Sequence, residues 1–232
     1  MSYFTFNGIS SENMGLKLIS LPPPSRAESF TETIQIPGRP EPLIKTRDEF
    51  QNFEIEIECV VTDISKVRNI FAWLRGKGKL IYSDEPDKYY TVVSNRLIEA
   101  ERISDEIRSF TMAFDCLPFA YSVSNEPVIL TEPGYITVCG TYPCAPQWTI
   151  YGNGDIKLIV NSSESPLIIK DVEGYIIVDA ASLMAYKWAG TSKRVLTNKT
   201  QNKFPMLAVG VNSAAWLGNV SKIECIKNER WL

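Results

Sequence analysis

The stretch FEIEIECVV, residues 53–61, decides how the first half of this chain folds. Its apolar residues stand at every second position, and three of the positions between them are glutamates. Because side chains alternate between the two faces of a β-strand, this period predicts a strand with one face toward a core. Glu54, Glu56 and Glu58 are therefore predicted to share the outer face of a sheet.

One amphipathic helix is predicted directly after this strand. Thr62 or Asp63 can cap its start, and the apolar residues that follow recur at helical spacing as far as Leu74. Gly76 stands where a helix-terminating glycine is common. The first half of the chain is thus predicted to be β-rich with a single helix.

Further strands complete this predicted first domain. They are expected at residues 80–82, 89–93 and 110–116. Residues 95–107 are ambiguous: a strand and a turn are favoured, but Leu97, Ile98, Ile103 and Ile107 would also suit one face of a helix. A loop at 83–88 would join the first two strands into a hairpin. The segment Leu117-Pro118-Phe119 is expected to end the last strand, because proline donates no hydrogen bond to a β-ladder.

The second half of the chain has a different pattern. The polar residues 122–127 mark a predicted boundary between a domain of residues 1–124 and a domain of residues 125–232. Beyond it, short apolar strands alternate with turn residues, and Gly152-Asn153-Gly154 is one of the expected turns. This pattern predicts an antiparallel β-sandwich or jelly roll, so the chain as a whole is predicted to be mainly β.

The composition excludes several classes of enzyme. The 232 residues include no histidine, which excludes triad hydrolases and histidine-based metalloenzymes. Five cysteines without a C-x-x-C motif predict reduced, mostly buried thiols. No catalytic residue, cofactor or metal site is predicted, and a carboxylate-pair glycosidase is the enzymatic alternative that composition leaves open. With no signal-peptide pattern and no apolar run near the ~18 residues of a membrane helix, folding in a cytoplasm is expected.

Several short motifs, spread over nearly the whole chain, carry a resemblance to a known family. They are YFTFNG at 3–8, SSENMGL at 10–16, IQIPGR at 34–39, FTMAFDCLPFAY at 110–121, YGNGDI at 151–156 and NKFPML at 202–207. Their order and spacing resemble the distal tail protein family of long-tailed phages (siphophages). The resemblance implies a tail-tube-like N-terminal domain and a galectin-like C-terminal sandwich.

The resemblance also implies a role and a set of partners. In that family, the N-terminal domain forms a hexameric ring at the tip of the virion tail, which joins the tail tube to the hub of the host-adsorption apparatus. The implied partners are further copies of the chain, the tail tube protein and the tail-tip hub protein, with stacked rings and a receptor-binding protein as further options. Genomic DNA would pass through without specific binding, no membrane insertion is implied, and the ring would be assembled in the cytoplasm of the bacterial host.

The three glutamates allow two interpretations. In a monomer they would be a solvated strand face. In a ring, Glu54, Glu56 and Glu58 would be candidates for lining the channel, because residues 1–124 carry 14 Lys and Arg against 18 Asp and Glu, a net charge of −4. Residues 125–232 carry 10 against 9, a net charge of +1. Like-charge repulsion would then keep passing DNA from adhering to the wall.

The proline-rich segment from Leu21 to Pro42 also allows two interpretations. It is expected to be an extended arm or loop around one short edge strand, because proline removes ladder donors. It either lies on its own domain or reaches a neighbouring subunit, where an added strand would cover an exposed sheet edge. The candidate inter-subunit residues are Pro22, Pro24, Ile34, Ile36 and Pro37.

Aromatic residues in the second half raise an alternative function. The candidates for stacking on sugar rings are Trp148, Tyr151, Trp188 and Trp216. Core packing is the competing explanation, since aromatic side chains supply much of the buried area in a small sandwich. If stacking holds, the chain would be a carbohydrate-binding module for attachment to the host cell surface.

Overall fold

The computed structural model describes residues 2–20, 26–102 and 107–232. It is mainly β with one short α-helix, which confirms the predicted fold class. The chain divides into two compact units, Met1–Val123 and Ser124–Trp231, which we call the first unit and the second unit. The ring-forming role expected of the first unit stays a prediction.

One antiparallel sheet dominates the first unit. The elements are β1 (Phe4–Phe6), β2 (Ile9–Ser10), β3 (Leu16–Leu18), β4 (Ser29–Ile34), β5 (Leu43–Phe50), β6 (Phe53–Val61), α1 (Val67–Trp73), β7 (Gly78–Tyr82), β8 (Glu85–Arg102) and β9 (Arg108–Ser122). The sheet runs in the order β2-β1-β7-β8-β9-β6-β3, while β4 and β5 pair with each other as a separate two-stranded sheet. β3 and β6 are therefore neighbours in space although the β4–β5 hairpin lies between them in sequence.

The helix α1 packs on the inner face of this sheet. Ile70 is fully buried with the apolar residues of the strands, and Trp73 stacks on Phe4 with ring centroids 5.6 Å apart. A 3-10 turn, Ile64–Lys66, precedes α1, and the Asp63 carboxylate accepts a hydrogen bond from the Ser65 amide at 3.0 Å. The predicted helix is confirmed, but its α-helical part is shorter than expected because its first turn is 3-10.

The sequence predicted a loop and a strand end in this sheet at places where the structure has continuous strand. Residues 85–88 belong to β8, so the expected loop shrinks to the turn Ser83-Asp84. β9 continues through Leu117-Pro118-Phe119 to Ser122. A bulge accommodates the proline: Val92 pairs with Cys116 and Tyr90 with Ala120, so more residues of β9 than of β8 lie between these two pairs. Pro118 lies in that bulge, where a missing donor is tolerated.

The second unit is built around three long strands. Its elements are β10 (Val128–Leu130), β11 (Gly134–Val138), β12 (Gln147–Val160), β13 (Leu167–Asp179), β14 (Met184–Ala189), β15 (Ser192–Val195), a 3-10 turn (Thr197–Lys199), β16 (Thr200–Gln201), β17 (Gly210–Ile226) and β18 (Arg230–Trp231). One antiparallel sheet runs in the order β10-β17-β12-β13-β14-β15, with β11 beside β17 and β16 beside β13.

This sheet curls so that it encloses its own core. Trp148 and Ile150 from the first half of β12 lie in the same buried cluster as Ile156 and Leu158 from its second half. β13 and β17 also contribute to that cluster from both of their ends. The predicted sandwich is thus made largely by long strands that bend, rather than by many short strands joined by turns.

The expected turn at Gly152-Asn153-Gly154 is wrong, because these residues lie inside β12. The register between β12 and β17 shifts on both sides of Gly152, where the strand bends. A Cβ on Gly152 would collide with the backbone oxygen of Asn219, and one on Gly218 with that of Asp155. Glycine at these positions therefore allows a close approach between two bent strands, which a sequence pattern does not distinguish from a turn.

Candidate functional site

The predicted acidic face is present on the outer side of the first sheet. Glu54, Glu56 and Glu58 are exposed on β6, while the apolar residues that alternate with them point into the core. Glu54 lies opposite Asp115 of β9, which adds a fourth carboxylate to this face. Whether the face lines a channel stays a prediction.

One cation partly neutralises this face. Arg96 of β8 donates two hydrogen bonds to the Glu54 carboxylate, at 3.1 and 2.9 Å. The side chains of Glu54 and Arg96 are 38% and 69% exposed, so solvent screens the pair and its contribution to stability is small. A surface depression of about 370 Å³ lies beside them and is bounded by Asn52, Asn95 and Asp115.

The candidate arm is a β-hairpin. The expected short strand is present as β4, but it pairs with β5, a strand that the sequence analysis did not predict. β5 reads LIKTRDEF, in which five of the eight residues are polar or charged, so its composition does not mark it as a half-buried strand. The tip turns at Gly38, which has a φ of 86°, and the Arg39 amide donates to the Ile36 carbonyl at 3.1 Å.

Apolar side chains of this hairpin are exposed. Ile34 and Leu43 face each other across the two strands and are 38% and 44% exposed, and Ile44 on the other face is 64% exposed. Ile36 is likewise exposed, as is Pro37 at the tip, whereas the candidate residues Pro22 and Pro24 lie outside the described residues. The three described candidates are therefore brought together near the hairpin tip.

The four candidate stacking residues are not brought together. Trp148 is fully buried, and its indole N–H has no hydrogen-bond partner among the described residues. Trp216 packs against the core from β17. Only Tyr151 and Trp188 reach one surface, where Tyr151 is half-buried and Trp188 is 44% exposed. The core-packing explanation therefore holds for Trp148, which cannot offer a ring face to a ligand in this structure, while Trp216 packs on the same core and stays partly exposed.

Register places Tyr151 and Trp188 in a row of five side chains on neighbouring strands. The row, which we call the aromatic row, consists of Lys222 on β17, Tyr151 on β12, Tyr175 on β13, Trp188 on β14 and Lys193 on β15. Lys222 lies opposite Tyr151, Tyr151 opposite Tyr175, and Trp188 opposite Lys193. The Tyr175 hydroxyl links the middle of the row, since it accepts from the Trp188 amide at 3.2 Å and donates to the Trp188 carbonyl at 3.4 Å.

Lysine ammonium groups lie over the rings of this row. Lys222 is 4.4 Å from the centroid of Tyr151, and Lys193 is 5.3 Å from that of Trp188. Lys193 is also 4.3 Å from the Tyr186 ring, which stands edge-on to Trp188. The sequence alone does not identify these lysines, because only the register of the bent strands shows which charges lie beside which rings.

Glu224 is the acidic side chain bonded into this row. Its carboxylate accepts from the Tyr151 hydroxyl at 3.2 Å and from the Lys222 ammonium at 2.7 Å. Burial and the nearby carboxylate raise the pKa of Tyr151, and the hydrogen bond to Glu224 raises the pKa of Lys222. Both groups therefore keep their protons at neutral pH, and the Tyr151 ring is held in place by its hydroxyl.

The cysteines are free, and four of the five are buried. Burial raises the pKa of Cys59, Cys116 and Cys225 to about 12 and that of Cys144 to about 11, so these thiols are protonated and unreactive at neutral pH. Among the described residues, no group of three or more Cys, Asp and Glu side chains is arranged to hold a metal ion. No described helix is long and apolar enough to cross a membrane.

Comparisons with known proteins agree with the sequence motifs. Residues 8–116 match the family model of the phage tail protein RIFT-related domain. The structure is similar to that of the Dit protein (gp 19.1) of SPP1, described as a paradigm of the hub adsorption apparatus in phages that infect Gram-positive bacteria. The match covers 100% of both chains with a TM-score of 0.76 and 13% sequence identity, a level that shows a shared fold. No curated protein matches the sequence. The resemblance to phage distal tail proteins is confirmed.

Proposed function

We propose that the chain is a distal tail protein, on the premise that residues 8–116 match the family model of the phage tail protein RIFT-related domain. Six copies form a ring at the tail tip, which connects the tail tube to the hub of the host-adsorption apparatus. The observation that carries this proposal is the match of the RIFT-related domain within a fold shared over its full length with the Dit protein of SPP1. The role is structural and needs no catalytic residue.

The two different edges of the first sheet are consistent with assembly into a ring. The sheet ends in β2 on one side and β3 on the other, and both are strands of two or three residues. A ring of identical subunits needs two different, complementary surfaces on each copy, and two distinct sheet edges meet that requirement. Beside β3 lies a depression of about 370 Å³, lined by the apolar Leu16, Leu18 and Ile19 and by the polar Glu12, Lys17 and Thr62, where a segment of the next subunit can be seated.

The mass of the assembly tests this proposal. Light scattering on the purified chain should give a mass about six times 26.1 kDa, and negative-stain images should show sixfold rings. Assembly that depends on protein concentration would fit subunits that associate through short edges. A monomer at every concentration, with no rings in the images, would contradict the connector role.

We assign the β4–β5 hairpin to the subunit interface. Ile34 and Leu43 expose apolar surface on one face of the hairpin, and exposed strand edges with apolar residues commonly pair with another chain. Ile34→Asp combined with Leu43→Asp should prevent ring formation while the monomer stays folded. Ile129→Asp in the second unit is the matched control, since Ile129 is 58% exposed on β10 and should not alter the assembled mass.

We also assign the acidic face of β6 to the channel of the ring. Replacing Glu54, Glu56 and Glu58 with glutamine removes three charges per subunit, and rings of this variant should bind duplex DNA more tightly at low salt than native rings. A variant with Glu126, Glu132 and Glu164 changed to glutamine carries the same net charge and is the control. A ring structure with the β6 glutamates outside the channel would rule out this assignment.

A carbohydrate-binding role in attachment to the host surface is a second candidate function. One observation favours it, namely that Tyr151 and Trp188 belong to the aromatic row on the outer face of the second unit. This role and the connector role are compatible, because they use different units of the chain.

A further inference from the structure

We propose that the aromatic row of the second unit binds an acidic polysaccharide. The row presents three rings between two lysines across five neighbouring strands. Lysine ammonium groups lie over these rings, and an anionic carboxylate or sulfate substituent that draws them aside uncovers flat apolar ring faces for the carbon-bound hydrogens of sugar rings. The inference develops the second candidate function and does not depend on assembly of a ring.

The spacing of the rings suits an extended chain of sugars. Neighbouring strands lie about 4.8 Å apart, so a polymer that crosses the strands meets a new side chain at each step. Tyr151 and Tyr175 are neighbours in the row, with ring centroids 6.0 Å apart and ring planes tilted by 33°. Trp188 extends the row onto the next strand.

The rings are held in position before any ligand arrives. The Tyr151 hydroxyl is bonded to Glu224, and the Tyr175 hydroxyl is bonded to the backbone of Trp188. Fixed rings lose little conformational entropy on binding, which lowers the cost of recognition.

The charge of the row decides which polysaccharide fits. Lys222 is neutralised by Glu224 at 2.7 Å, while the Lys187 ammonium, 4.9 Å from Tyr175, donates to the backbone carbonyl of Glu173 at 2.6 Å. The contacts described for the Lys193 ammonium are with the rings of Tyr186 and Trp188. An anionic substituent beside Trp188 therefore has an ammonium group ready to receive it, and a neutral sugar does not use that charge.

A protein partner fits this surface less well than it fits another part of the second unit. The strongly exposed side chains Tyr135, Val211 and Leu217 lie on β11 and the first half of β17, at 75%, 68% and 59% exposure. These three side chains are aromatic or aliphatic, as residues at the centres of protein interfaces tend to be. The aromatic row instead combines rings, hydroxyls and ammonium groups, which match the mixed apolar and polar faces of a sugar.

The experiment compares two oligosaccharides of equal length on the full-length protein. Calorimetric titration with a hyaluronan hexasaccharide, which carries a carboxylate on alternate sugars, should show saturable binding. Chitohexaose, which is neutral, should bind about ten-fold more weakly, the loss expected for one lysine contact. Salt should weaken the binding of hyaluronan more than that of chitohexaose.

Substitutions at two exposed residues of the row, with two control substitutions elsewhere, test where the polysaccharide binds. Trp188→Ala and Lys193→Ala should each weaken hyaluronan binding about ten-fold, because one removes a ring face and the other an ammonium group. Tyr135→Ala and Lys157→Ala change an exposed ring and an exposed lysine elsewhere on the same unit and should leave the affinity unchanged.

The proposal is overturned by any of four results. These are no binding of either sugar, equal binding of both, equal loss in the control variants, or a Trp188→Ala variant that binds normally. A change of assembled mass in Trp188→Ala would show instead that the row joins copies of this chain. Absence of rings in native protein that still binds hyaluronan would reject the connector role and leave the site intact.

Discussion

The two units of this chain bury the apolar face of an antiparallel sheet in different ways. In the first unit, a sheet of long and short strands buries its inner face partly beneath α1, with Ile70 at the centre of the contact. In the second unit, β12, β13 and β17 bend and cover their own core, with Trp148 inside. Antiparallel strands can thus form a core with a helix or without one. In the second unit no helix is needed, because glycines allow its long strands to bend over their own core.

The outer faces of the units differ as much as their cores. The first unit presents carboxylates on β6, and the second presents rings and lysines across β17, β12, β13, β14 and β15. Outer-face residues of a sheet alternate with core residues, so their chemistry can change while the fold is kept. We infer that this division lets one unit serve assembly and the other serve recognition.

The largest loss of stability is expected when a large buried side chain is removed from either core. Trp148→Ala should lower the free energy of unfolding by about 3–5 kcal/mol, and Ile70→Ala by about 2–5 kcal/mol, since both residues are fully buried. Urea unfolding followed by circular dichroism measures the loss, and hydrogen exchange shows which unit opens. Trp188→Ala, which removes a partly exposed ring, is the matched control; a similar loss in it would contradict burial as the cause of the cost.

A smaller effect is expected where the second unit bends. Gly218 has a φ of 114°, and a Cβ there would collide with the Asp155 carbonyl, so Gly218→Ala should cost about 1–3 kcal/mol or more. Gly76 in the first unit has a φ of 91° but open space around it, so Gly76→Ala should cost less. Thermal unfolding of both variants tests this order, and equal costs would show that close strand approach is not what the bend requires.

A still smaller effect is expected on the acidic face. Arg96→Ala and Glu54→Gln should each change the free energy of unfolding by less than about 1 kcal/mol, because the pair is solvent-exposed. A double-mutant cycle at low and high salt measures the coupling, which salt should reduce. A coupling of several kcal/mol would mean that this face stabilises the fold and is not free to serve another purpose.

The smallest effect is expected at the helix cap of the first unit, and it depends on pH. Hydrogen bonds from the Ser65 hydroxyl and amide lower the pKa of Asp63. Its carboxylate therefore stabilises the folded state above the pKa of an unfolded aspartate, and this contribution is lost as the pH falls through the lower folded value. Melting temperatures of native protein and Asp63→Asn should differ at neutral pH and converge in acid. A difference in melting temperature that stays constant with pH would show that the charge of Asp63 is not its cause.

Local periodicity predicted much of the fold, including the alternation at β6, the helix after it and the all-β second half. The prediction failed where a strand contains residues that usually end strands. Pro118 lies in a bulge of β9, and Gly152 lies at a bend of β12. The same limit applies to the sites. Glu54, Glu56 and Glu58 share a face by period alone, whereas Tyr151 and Lys222 are 71 positions apart in sequence and meet only through the register of two long strands.

The position of the β4–β5 hairpin has a practical consequence for engineering. β3 and β6 are paired neighbours in the first sheet, so the hairpin is an excursion from a connection between adjacent strands. Its tip, residues 36–42, contributes no residue to the buried core. A short peptide tag inserted after Gly38 should leave the monomer intact and report on assembly alone.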